Sequence, residues 1–95
     1  MINRNIERLS YIIEETTTKY NTKDIKELRK IQSKKSAKYT ELINGDSWKC
    51  LENFCNKTEE LFGIDNVQLL SFSGTGYNIL YSCLCIKVFD ELLGE

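Results

Sequence analysis

Three groups of residues have types and spacings that could do chemistry. They are the stretch Ser71-Phe72-Ser73-Gly74-Thr75-Gly76-Tyr77-Asn78, the four cysteines, and several adjacent carboxylates. Two glycines one residue apart among hydroxyls suggest a phosphate cradle. A P-loop, however, requires Gly-x-x-x-x-Gly-Lys-Ser/Thr, and a dinucleotide fingerprint requires a third glycine three residues on. Neither is present. A two-residue II′ turn begins with glycine, so Gly74-Thr75 reads as a turn and Gly76 as a bulge beside it.

Cys50 and Cys55 have four residues between them, and Cys83 and Cys85 have one. On a helix the first pair points about 140° apart, and structural zinc prefers at least two residues between paired cysteines at a turn. The N-terminus, Met-Ile-Asn-Arg-Asn-Ile-Glu-Arg, mixes charge with isoleucine and does not form the apolar core of an export signal, so the expectation is cytoplasmic. There the cysteines read as reduced, buried small hydrophobes and not as disulfides. Glu14-Glu15, Glu59-Glu60 and Asp90-Glu91 diverge by about 100° on a helix and make no facing acid–base couple.

The chain contains no histidine, which removes the commonest general base, the commonest zinc ligand and every Ser-His or Cys-His nucleophile pair. The expectation is a protein without catalysis, cofactor or metal. Trp48, Phe54 and Tyr81 could line a pocket, but they stand at core spacing and read as packing.

A different chemistry is offered by residues 23–38, where seven cations face only Asp24 and Glu27 in a protein of net charge −1. Lys23, Lys26, Lys30, Lys34 and Lys38 project from the side opposite Ile25, Leu28 and Leu42. Such a stripe can follow phosphates, dock on an acidic protein or simply be solvated. Residues 40–66 carry six acids against two lysines, so the charge is polarised. That suits a protein partner at least as well as nucleic acid.

These groups are positioned by elements that the periodicity marks out. Ile2, Ile6, Leu9, Ile12, Ile13, Thr16 and Tyr20 predict an amphipathic helix over 2–20. Ile25 to Ile43 predict a second over 23–44, stopped by Gly45, with a break expected near Ser33–Ser36. Trp48, Leu51, Phe54, Cys55, Thr58, Leu61 and Phe62 predict a third, capped by Asp46 or Ser47 and ended by Gly63 in a Schellman turn.

Beyond residue 66 the β-branched and aromatic content rises on both sides of the glycines, which predicts a hairpin. Its register sets Phe72 opposite Tyr77, Leu70 opposite Ile79 and Gln68 opposite Tyr81. The expected fold is one α+β domain over 1–95, three helices against a C-terminal hairpin. The alternative makes 77–93 the fourth helix of an all-α bundle.

A hairpin of this composition would be apolar on both faces, including Phe72, Tyr77 and Tyr81, and would leave two strand edges open. It therefore points to a partner. The favoured reading is a small inhibitor or regulator of a larger protein. The asparagine-, isoleucine- and lysine-rich, proline-free composition fits a phage or mobile element directed against a host defence. Nucleic acid or a nucleotide on the basic helix, and a homodimer through the hairpin, are the alternatives. No run is long enough to span a membrane.

Overall fold

A computed structural model describes residues 4–74 and 78–95. Among the described residues six helices run in order: α1 (Arg4–Leu9), α2 (Tyr11–Lys19), α3 (Ile25–Leu42), α4 (Ser47–Phe62), α5 (Asn66–Ser71) and α6 (Asn78–Leu93), with a 3₁₀ turn over Phe72–Gly74 before α6. Among the described residues there is no strand. The α+β expectation is thereby corrected in favour of the all-α alternative. The paired edges through which a hairpin homodimer would form are replaced by helix, and so are the pairs Leu70–Ile79 and Gln68–Tyr81.

The reason lies in α6. Leu80, Cys83, Leu84, Cys85, Ile86, Val88 and Phe89 are all buried, and a helix apolar on every side belongs at the centre of a bundle. Sixteen residues far exceed the usual strand of about 5–6. Its few charges, Lys87, Asp90 and Glu91, recur at three and four and turn toward α2, where Lys87 meets Glu15 at 2.8 Å and Asp90 meets Lys19 at 3.1 Å. Most of the greasy surface expected to seek a partner, that of α6, is enclosed by its own chain, with α3, α2 and α4 packed around it, while Val67 and Leu70 on α5 stay exposed.

Local signals shape the rest. The first helix breaks at Ser10, whose hydroxyl donates to the Glu7 carbonyl, and continues as α2. No break occurs near Ser33–Ser36, because α3 runs uninterrupted. The Asp24 and Asp46 carboxylates cap α3 and α4 by accepting from the Lys26 and Lys49 amides. Gly63 closes α4 at φ 66°, a left-handed conformation that glycine adopts without penalty. Arg8 then donates to the Phe62 carbonyl at 2.6 Å, satisfying an acceptor that the helix end leaves open.

Residues 67–73, expected to be strand, follow Asp65, which accepts from the Gln68 amide while the Gln68 side chain accepts from the Asp65 amide. That reciprocal capping box starts α5 and lays Leu69 into the core. Phe72 follows it inward and is 1% exposed.

Candidate functional site

Two places on the surface bring polar or apolar groups together. The first lies between the C-terminal halves of α2 and α6. Asp90 is buried there, and both of its oxygens accept from the Tyr20 hydroxyl, at 2.7 and 2.6 Å. Lys35 stands at 2.8 Å and Lys19 at 3.1 Å from the same carboxylate, and both ammonium groups lie over the Tyr20 ring. Lys35 and Lys38 also bind the Glu95 carboxylate.

Asp90, Glu95, Lys35 and Tyr20 are each shifted away from neutral pH. Burial alone would raise Asp90, but the bonds from Lys35, Tyr20 and Lys19 outweigh it and hold the carboxyl below its usual range. Burial alone would lower Lys35, and its bonds to Asp90, Glu95 and Tyr20 reverse that and raise it. Burial, together with the bond to Asp90, raises Tyr20. A general acid or base works best with a pKa near the operating pH, so this arrangement locks α2 and α3 to α6 and is not poised to move protons.

The second place is a groove of about 350 Å³ between α3 and α4, floored by α6. Gln32, Ser36 and Thr40, each four residues on from the last, form its α3 wall. Ser47, Cys50, Leu51 and Phe54 form the α4 wall, and Tyr81, Cys85 and Phe89 form the floor. Helical spacing sets all three rows, since residues four apart share a face. Phe54 packs on Phe89 with ring centroids 5.1 Å apart, and the Asn53 amide donates to the Tyr39 hydroxyl at 2.8 Å, which ties α3 to α4 alongside the groove.

Leu51 is 49% exposed, and Trp48, one turn earlier on α4, is 81% exposed. Among the described residues Tyr11, Leu42, Val67 and Leu70 are also large apolar side chains left exposed, but of these six only Leu51 lines the groove, with Trp48 one turn away. Burial pushes Tyr81 up to about 12 and Cys85 up to about 12, so at neutral pH the floor carries no charge.

The residues expected from the sequence fall in different places. Tyr81 and Phe54 line the groove, while Trp48 stands out in solvent instead of packing. Phe72 is a core residue, and Tyr77 lies outside the described residues. Lys26, Lys30 and Lys34 stand on the exposed side of α3, and Lys23 precedes that helix. Lys30 meets Glu27 at 3.6 Å, and Lys38 turns away to Glu95.

Sequence reasoning missed the Gln32-Ser36-Thr40 row. Its signal was available: small polar residues on the flank of an otherwise charged helix leave room beside it. Cys83, buried and pushed up to about 11 by burial, and Cys85 are poor nucleophiles. Among the described residues, no cluster of three metal-ligating side chains occurs, and no helix is long and apolar enough to cross a membrane. Comparison with protein-family models, curated proteins and solved structures returns no match to this chain.

Proposed function

We propose that the protein is a non-catalytic binding domain that recognises another protein through the groove between α3 and α4, and that it acts as a small inhibitor or regulator of that partner. The observation that carries this reading is the apolar lining of the groove, with Leu51 half exposed on its wall and Trp48 almost fully exposed one turn away. Large aromatic and aliphatic anchors beside a concave apolar surface supply most of the affinity in protein recognition, often about 2 kcal/mol or more each.

Two further features support it. The groove is uncharged where it is deepest, which suits apolar side chains from a partner. The ionisable cluster at Asp90 is held in fixed charge states, which suits a structural lock.

The test is capture from a lysate of the source cell on immobilised wild-type protein and on a Leu51→Asp variant. The reading expects a protein retained by the wild type and lost from the variant. Identical retention by both would remove the groove from consideration.

A further inference from the structure

The groove does not stop at its apolar floor. Gln32 and Tyr81 also line a second cavity of about 470 Å³, whose other walls are Arg29, Ser33, Ser73, Asn78 and Ser82. The two form one path along α3 that changes character on the way. At one end are Leu51, Phe54, Cys85 and Phe89; at the other are an arginine and small hydrogen-bonding side chains. Thr40 and Arg29 are eleven residues apart on one helix, which gives the path a length of about 16 Å.

The charge along this path is uncompensated. Among the described residues Arg29 makes no ion pair, and neither does Lys26 or Lys34 on the solvent side of the same helix. The carboxylates beside them in the sequence are engaged locally: Asp24 caps α3 at the Lys26 amide, and Glu27 pairs with Lys30. Cations without counter-ions at one end of an apolar cleft favour an occupant that brings its own negative charge.

We infer that the occupant is a segment of the partner protein with apolar side chains at one end and acidic side chains at the other. The apolar end sits against Leu51, Phe54 and Phe89, and the acidic end meets Arg29 with Lys26 and Lys34 behind it. This rests on the protein-binding reading above and adds the partner's chemistry. A single nucleotide fits the path less well. It is too short to use both ends, and Phe54 and Phe89 are packed against each other with ring centroids 5.1 Å apart, so a base cannot slot between them.

A library of random twelve-residue peptides displayed on phage, selected against the folded protein, tests this. The enriched peptides are synthesised with a fluorophore and titrated by anisotropy against the wild type, Arg29→Glu and Leu51→Asp. Circular dichroism confirms the helicity of each variant. The inference expects peptides that pair leucine or aromatic residues with clustered aspartate or glutamate. Their affinity should fall about tenfold or more in Arg29→Glu, weaken as salt rises, and be lost in Leu51→Asp.

Peptides that need Leu51 but lack acidic residues and ignore Arg29→Glu would overturn the charge assignment and leave protein binding standing. Peptides indifferent to both variants would overturn both readings. Tight binding of adenosine monophosphate or oligothymidylate that is lost in Arg29→Glu, with no peptide enriched, would likewise overturn the inference.

Discussion

The Tyr20 hydroxyl donates to both oxygens of Asp90, at 2.7 and 2.6 Å, across seventy residues of chain. With Lys19 and Lys35 on the same carboxylate, this joins α2, α3 and α6 at one buried point. Removing one member of a buried charged set leaves the others uncompensated, at a cost of about 3–5 kcal/mol. Asp90→Asn is therefore expected to lower the urea-unfolding free energy by about 3 kcal/mol. Asp90→Asn with Lys35→Met should lose less than the sum of the two single changes. Chemical denaturation of the four proteins measures both.

Stability should fall at both ends of the pH scale, for different reasons. Asp90 is held below its ordinary value, and Glu95 is lowered to about 2 by its bonds to Lys35 and Lys38. Their stabilisation is present above the ordinary carboxyl range of about 4 and is lost as pH falls through the lowered values. At the alkaline end burial raises Cys83 to about 11 and Cys85 to about 12, from 9.0. The unfolded chain releases these protons first, so stability declines as pH rises from about 9 toward the raised values. Lys35, also raised, adds to the loss above its ordinary value of 10.5. Urea midpoints measured from pH 2 to 11 should form a plateau with two falling limbs, and Cys85→Ala should make the alkaline limb shallower.

Leu84→Ala and Trp48→Ala should separate core from surface. Leu84 is fully buried on α6, and truncation there costs about 2–5 kcal/mol. Trp48 is exposed, and its removal should change stability by about 0.5 kcal/mol or less. Trp48 is also the single tryptophan, so the fluorescence of the free protein should match that of tryptophan in water. A strongly blue-shifted emission would contradict the exposed position.

The α5 capping box predicts a local effect. Asp65→Ala removes the acceptor for the Gln68 amide and should cost about 1 kcal/mol. Amide exchange should speed up first in Asn66–Ser71, with α6 unaffected. Equal acceleration throughout the chain would show that α5 does not open independently.

Residues 4–63 are largely legible because their amphipathic stripes and caps agree: Asp24 and Asp46 start helices, and Gly63 ends one. The last third misleads because apolar residues on every side fit a buried strand and a buried helix equally well by period. Two short signals decide it. Asp65-Asn66-Val67-Gln68 carries the aspartate and glutamine spacing of a capping box, and Lys87, Asp90 and Glu91 recur at helical intervals. The groove was less legible still, because Gln32, Ser36 and Thr40 matter only through their placement beside Tyr81 and Phe89, more than forty residues away. The lysine row was legible as charge, but not the diversion of Lys38 to Glu95, which depends on where α6 ends.

The most direct test of recognition through the α3–α4 groove is a resonance map of the ¹⁵N-labelled protein titrated with the partner it retains. Chemical-shift changes should concentrate on Gln32, Ser36, Leu51, Tyr81 and the indole of Trp48. Changes confined to Lys23, Lys26 and Lys34, or to the Glu15–Lys87 side of the bundle, with the groove residues unmoved, would contradict it.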